Sequence, residues 1–339
     1  MKVLLLAGGD SSEREVSFTS GRAIYEALSG LGHSVHAIDP ASGRSLIAGD
    51  GTYAKALPAP DQTGEEEPAG RALSRHLTES LDNIDVVFLG LHGGAGENGS
   101  IQNLLSLGGV AYTGSDMTAS AVAMDKALTK RVCQSLDIAT PEWRLYRVPD
   151  GRITPDLYAA ISSKFQPPYI VKPNDGGSTV GLTKVATPDQ LTPALLEVIG
   201  ETKNILVEEY IAGRELTVAV LDGHAFPPVE IKPRSGLYDY HAKYTAGASE
   251  YICPAEVPEA VATQAQASAV RLYEAIGAAG LARIDFLMDR NERLFCLEIN
   301  TLPGMTPLSL APMAAKAEGI NFEQLVSMIV KSALKRRTD

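Results

Sequence analysis

Two alternating apolar runs, Ala282 to Met288 and Leu294 to Asn300, flank the polar stretch Asp289-Arg290-Asn291-Glu292-Arg293. A linker this short forces the runs to pair as an antiparallel ribbon. Alternation then puts Arg283 and Asp285 on one face and Ile284 and Phe286 on the other. On the return strand Glu298 and Asn300 share a face, opposite Leu297 and Ile299. Asp285 and Glu298 therefore lie near one another across the ribbon. Two carboxylates and an amide oxygen brought together repel unless a cation sits between them. Hard oxygen ligands of this kind suit Mg2+ or Mn2+ shared with a substrate phosphate. A solvated ribbon face carries such residues too. Here, however, the strand runs on into Asn300-Thr301-Leu302-Pro303-Gly304-Met305-Thr306, a tight polar stretch unlike a surface turn.

The rest of the chain bounds what surrounds that ribbon. A length of 339 residues implies two or three domains. With 45% hydrophobic and 21% charged residues, the composition excludes disordered, collagen-like and coiled-coil classes. The net charge of -11 argues against a phosphate-backbone binder, so no nucleic-acid partner is expected, though a net charge does not exclude a local basic pocket. Cys133, Cys253 and Cys296 form no CxxC and read as reduced thiols. No apolar run reaches membrane-spanning length, and Val3-Leu4-Leu5-Leu6 is too short for a signal segment. A cytoplasmic protein with no membrane partner is the expectation.

The first third alternates strands and helices. Lys2 to Leu6 ends at Gly8-Gly9, and a helix follows with Ile24, Ala27, Leu28 and Leu31 on one stripe. Val35 to Ile38 and Val86 to Leu91 read as further strands, and Ser100 to Leu107 as a helix. This pattern predicts an open parallel sheet with ligands at the carboxyl ends of its strands, Gly8 to Glu15 and His92 to Gly99. Residues 41–80 read as peripheral, without chemistry. The second part begins near Ser115, where a helix with Ala121, Met124, Leu128 and Val132 on one face carries Lys126 and Lys130. Leu216 to Leu221, an Asp222-Gly223 turn and a return toward Ile231 form a hairpin. A polar loop spans Pro233 to Ser249, and a helix runs from Pro258 to Ile276.

Two further segments carry candidate chemistry. Strand Tyr169-Ile170-Val171 feeds Lys172-Pro173-Asn174-Asp175-Gly176-Gly177-Ser178-Thr179-Val180-Gly181, where glycines admit phosphate oxygens to the backbone N–H groups and a lysine supplies countercharge. It is not a P-loop, and by itself it is also what an ordinary glycine loop looks like. Val207-Glu208-Glu209-Tyr210-Ile211 with Glu215 can meet an adenine and a ribose, although an exposed acidic strand end has the same appearance.

Taken in order, Gly8 to Ser17, Leu91 to Gly99, Ala111 to Ser115, Met124-Asp125-Lys126, Lys172 to Gly181 and Glu298 to Thr306 with Ser309-Leu310 resemble the D-Ala-D-Ala ligases of the ATP-grasp superfamily, over nearly the whole length. The resemblance implies an α/β protein: an N-terminal open parallel sheet domain (1–115) followed by a two-part ATP-grasp fold, its central part at 116–208 and its C-terminal part at 209–339. It implies ATP-dependent joining of two D-alanines for peptidoglycan synthesis, with ATP and two Mg2+ (or Mn2+) ions and a homodimeric assembly. By resemblance, Lys126 and Lys172 hold ATP phosphates, Lys243 adds to the ATP site from the mobile loop, and Glu208, Ile211 and Glu215 contact adenine and ribose. Asp285, Glu298 and Asn300 match the metal ligands, and Arg283 with the Gly304 N–H the oxyanion donors. Glu13 matches the acid that holds the first D-alanine's ammonium, with Val16 and His92 beside it. Ser309 and Leu310 match the clamp on the second carboxylate, and Ser178 and Tyr244 the pair joining the central loop to the mobile one. Asn98 stands where aspartate is usual, and Gly176 where a longer polar residue is common. Two alternatives stay open: a relative making a D-lactate, D-serine or other product, and a nucleotide-binding regulator that has lost turnover.

Overall fold

The computed structural model describes residues 1–54, 75–177, 181–234 and 247–336. Three sheets organise them. In the first, Lys2–Leu6 (β1) pairs in parallel with Ser34–Asp39 (β2) on one side. Arg44–Ser45 (β3) adds antiparallel beyond β2. Val86–Leu89 (β4) and Ala111–Tyr112 (β5) extend the sheet in parallel on the other side, giving the order β3-β2-β1-β4-β5. The unbroken apolar run of β1 reflects burial on both faces. Val3 and Leu5 join a core with Ile24 and Leu28, while Leu4 and Leu6 join another with Ile101 and Leu105. The chain's last helix, Phe322–Arg336, covers the first of these faces with Leu325, Val326, Ile329 and Val330.

The second sheet is antiparallel. Trp143–Arg147 (β6), Tyr169–Pro173 (β7), Thr183–Val185 (β8) and Asn204–Glu209 (β9) lie in the order β6-β9-β7-β8. Helices Pro155–Lys164 and Leu191–Glu201 close a separate core over it, around Ile161, Leu191, Leu195 and Val198.

The third sheet holds the ribbon. Its strands are Gly213–Leu221 (β10), His224–Ala225 (β11), Val229–Pro233 (β12), Ser249–Ile252 (β13), Leu281–Asp289 (β14) and Leu294–Asn300 (β15). β14 lies between β10 and β15, and the order is β13-β12-β10-β14-β15. Gly213 is glycine for a steric reason: a side chain there would run into the Met288 carbonyl of β14.

One predicted element is corrected. The helix expected to run unbroken past Met124 is two helices, Met117–Met124 and Lys126–Ser135. Asp125 leaves helical backbone (φ -85°, ψ 101°) and accepts the Leu128 N–H on its side chain, so it caps the second helix. Its backbone bridges to Asp175, and the Lys126 N–H donates to the Asn174 carbonyl. The break thereby places Lys126 at a helix start beside the glycine loop. Among the described residues no helix is long and apolar enough to cross a membrane.

Candidate active site

Two clefts meet at the ribbon. One, of about 770 Å3, opens between the first sheet and β15 and is lined by Glu13, Val16, His92, Arg283, Asn300, Gly304, Ser309 and Leu310. The other, of about 590 Å3, lies between the second and third sheets and is lined by Lys172, Glu208, Ile211, Glu215 and Asp285. Lys126, Gly176, Gly177 and Glu298 line both clefts, so the two cavities share a wall of a lysine, a carboxylate and glycine backbone.

Asp285 and Glu298 are neighbours across the ribbon, as expected: Asp285 opposes Glu298, and Arg283 opposes Asn300. A bulge after Asp285 brings Phe286 opposite Cys296 and leaves Leu297 unpaired. Such an irregularity twists the strand next to the carboxylates. Asp285 is held from both sides. Thr217 on β10 donates to Oδ1 at 2.5 Å, and Arg283 donates to both oxygens at 2.9 and 2.8 Å. Lys126 Nζ lies 3.4 Å from Glu298 Oε2 and donates to the Gly176 carbonyl at 2.7 Å. The Asn300 side-chain oxygen accepts the Leu302 N–H, which fixes the tight stretch after the ribbon. Among the described residues no cluster of three or more His, Cys, Asp or Glu side chains forms a self-sufficient metal cage. Asp285, Glu298 and Asn300 offer only oxygen, and two of them carry charge. That donor set fits a divalent cation which completes its shell with water and phosphate.

In the nucleotide-sized cleft Glu208 is buried and its Oε1 is paired with Lys172. Burial raises the Glu208 pKa, but Lys130 and Lys172 outweigh it and hold the carboxyl at about 2. The alternative of an exposed acidic strand end fits Glu209, not Glu208.

In the other cleft, Glu13 sits at the start of helix Arg14–Gly30. Its carboxylate lies against Gly93 and Gly177: a β-carbon at Gly93 would come within 2.8 Å of Oε2, and one at Gly177 would overlap it. Gly177→Ala is therefore expected to push Glu13 aside and, with Glu13 in the ammonium-holding role that the resemblance implies, to raise the KM for the ammonium-bearing substrate at least about tenfold, on the scale of one lost charged contact. Steady-state titration of that substrate checks this, and an unchanged KM would contradict the placement. Arg14 ties the neighbouring Gly8-Gly9 turn to buried Asp39, which it meets at 2.6 Å while donating to the Gly9 carbonyl. At the far end Ser309 precedes helix Leu310–Ala317, and its hydroxyl accepts the Thr306 N–H at 3.0 Å. A helix start with unpaired N–H groups suits a carboxylate.

Some contributors carry no signal in the sequence. Ser20 pairs with His92 Nε2 at 2.9 Å, and His92 Nδ1 faces the Leu302 carbonyl at 3.1 Å. His92 thus joins the first helix to the segment leading to Gly304. Glu97 is buried 3.7 Å from His92, and burial pushes its carboxyl up while His92 opposes that. Thr217 as the partner of Asp285 is visible only once β10 is known to pair with β14. The departures are accommodated. Asn98 accepts the Ser100 N–H on its side chain, and Gly176 has φ +148° and receives Lys126 on its carbonyl. Ser178, Lys243 and Tyr244 lie outside the described residues.

Residues 2–115 match the D-ala D-ala ligase N-terminus family and residues 132–331 the D-ala D-ala ligase C-terminus family. The chain is 39% identical to the D-alanine–D-alanine ligase of Syntrophotalea carbinolica, covering 99% of this chain and 97% of that one. It is likewise 39% identical to the same enzyme of Aquifex aeolicus, covering 97% and 100%. Among solved structures, the Bacillus anthracis D-alanine–D-alanine ligase complexed with ATP superposes with a TM-score of 0.78 at 27% identity, covering 100% of this chain and 99% of that one. The VanG D-Ala:D-Ser ligase of Enterococcus faecalis gives a TM-score of 0.77 at 26% identity, covering 98% and 99%. The chain belongs to the D-alanine–D-alanine ligase family.

Proposed function

We propose that this protein joins two D-alanines into D-alanyl-D-alanine at the expense of ATP, in the cytoplasm and as a homodimer, for peptidoglycan precursors. The observation that carries this is the shared wall. Among the described residues, a nucleotide in one cleft and an amino acid in the other share Lys126, Gly176, Gly177 and Glu298 as their common wall. In this reading residues 1–115 hold the first D-alanine, and residues 116–208 and 209–339 enclose ATP.

Glu13 holds the ammonium of the first D-alanine and aims its carboxylate at the shared wall. That carboxylate attacks the ATP γ-phosphorus, the bond to the β-phosphate oxygen breaks and ADP leaves. Lys126 and Lys172 offset the phosphate charge, so positioning and electrostatics supply most of the acceleration. Asp285, Glu298 and Asn300 would hold divalent cations, which supply further countercharge to the phosphates. The second D-alanine, its carboxylate on the Ser309 hydroxyl and the Leu310 N–H, attacks the resulting D-alanyl phosphate with its neutral amine. The oxyanion that forms is stabilised by Arg283 and the Gly304 N–H. Phosphate departs as the carbonyl re-forms, and the proton that the amine gives up leaves on the departing phosphate. Water must be kept from the acyl phosphate. The expectation that the Pro233 to Ser249 loop does this falls mostly outside the described residues, as do the expected roles of Ser178, Lys243 and Tyr244.

The second substrate is tested by competition. With ATP and D-alanine present, D-serine and D-lactate are offered from pH 6 to 9 and the products separated. The dipeptide of D-alanine should dominate throughout, with negligible depsipeptide at pH 7, because a tyrosine at position 244 brings no positive charge to favour a carboxylate without an ammonium. Equal formation of depsipeptide at pH 7 would overturn the substrate assignment.

A further inference from the structure

Lys130 has no exposed surface. It lies one helical turn after Lys126 in Lys126–Ser135 and does not line the nucleotide cleft. Its Nζ is 2.8 Å from Glu208 Oε2 and donates to the Thr140 hydroxyl at 2.7 Å. Thr140 donates in turn to the Cys296 carbonyl on β15 at 2.8 Å, two residues before Glu298. Glu208 gives its other oxygen, Oε1, to Lys172. One carboxylate is thus divided between two ammonium groups, one in the cleft and one behind it. A methionine would fill the same buried volume without a charge to desolvate, so packing alone gives no reason for a lysine here.

We infer that Lys130 is a positioning residue for the nucleotide: by engaging Glu208 Oε2 it fixes the Glu208 carboxylate and Lys172, and leaves the three-group cluster with a net positive charge behind the phosphates. The inference rests on the nucleotide-site reading above. The 2.8 Å contact with Glu208 Oε2 supports the ammonium form of Lys130 against burial, which together with Lys172 lowers its pKa, and Glu208 itself stays a carboxylate. Without Lys130, Glu208 would neutralise Lys172 outright, and its freed oxygen would be buried without a partner.

The test is ADP binding by calorimetry, together with separate KM values for ATP and D-alanine, on the full chain carrying Lys130→Met, Lys130→Arg or Thr140→Val. Lys130→Met should weaken ADP binding and raise the ATP KM about tenfold or more, the scale of one unit charge at an effective dielectric near 20. The KM for D-alanine should stay within about twofold. Lys130→Arg, which keeps the charge, should recover most of the loss. Thr140→Val, which removes an anchor but no charge, should lower Tm and leave ADP affinity within about twofold. A folded Lys130→Met that binds ADP as the unmodified protein does, or equal losses in Met and Arg variants, would overturn the inference. If Lys130→Met does not fold, Lys130→Gln, polar and uncharged, carries the same comparison. Failure of the unmodified protein to bind ADP would instead remove the nucleotide-site reading itself.

Discussion

Replacing Glu298 with Gln is expected to remove most turnover, about two orders of magnitude or more in kcat, while the protein stays folded. The change keeps the shape of the side chain and deletes one negative charge. Glu298 faces Asp285 across the ribbon, 3.4 Å from Lys126, at the wall common to both clefts. On the proposed reading, the amide removes one of two charged donors to a divalent cation, and with the cation several kcal/mol of countercharge to the reacting phosphate. Stability should hardly change, because the Glu298 side chain is 27% exposed and outside the apolar cores. Raising Mg2+ or substituting Mn2+ should restore part of the rate by mass action. Normal turnover at ordinary Mg2+ would show that Glu298 holds no metal.

Arg283→Ala should cost about 3 kcal/mol in the barrier, roughly a hundredfold or more in rate, if its guanidinium meets the oxyanion. Its position supports more than one task. It grips both oxygens of Asp285, at 2.9 and 2.8 Å, yet it also lines the amino-acid cleft with Gly304. An arginine that only braced Asp285 would, when removed, loosen the metal site and lower ATP affinity and rate together. An oxyanion donor, when removed, lowers kcat and leaves ADP binding nearly as it was. ADP calorimetry beside single-turnover kinetics separates the two, and equal losses in affinity and rate would leave Arg283 a brace.

Much of this site was legible because alternation in a ribbon is a rigid rule. Once a short linker joins two strands, Asp285 and Glu298 must come near one another across the ribbon, and they do. What alternation does not show is the bulge, because the register running from the linker would set Asp285 opposite Leu297, and only the extra residue on the return strand brings it opposite Glu298. The open parallel sheet was legible for a similar reason, since the unbroken apolar run of β1 needs cover on both faces. Three features were hidden by distance in the chain. The break at Asp125 depends on a bridge to Asp175, and 3.6-residue periodicity carries straight through it. The last helix covers the first sheet, some three hundred residues away, with an apolar stripe that names no partner. Lys130 reads as a surface lysine on an amphipathic helix, and its burial follows only from where β9 and β15 bring Glu208 and Cys296. Local pattern specifies elements and faces, whereas a buried ion pair is specified by the elements that close over it.

The central claim is that the two clefts hold the two halves of one ligation, and the products of a single incubation test it most directly. The purified protein is given ATP, Mg2+ and D-alanine as sole amino acid, and ADP, phosphate and D-alanyl-D-alanine are quantified over time. They should accumulate in equal amounts, and L-alanine in place of D-alanine should yield none of the three above background. ATP consumed without dipeptide, or no ATP consumed at all, would contradict the account.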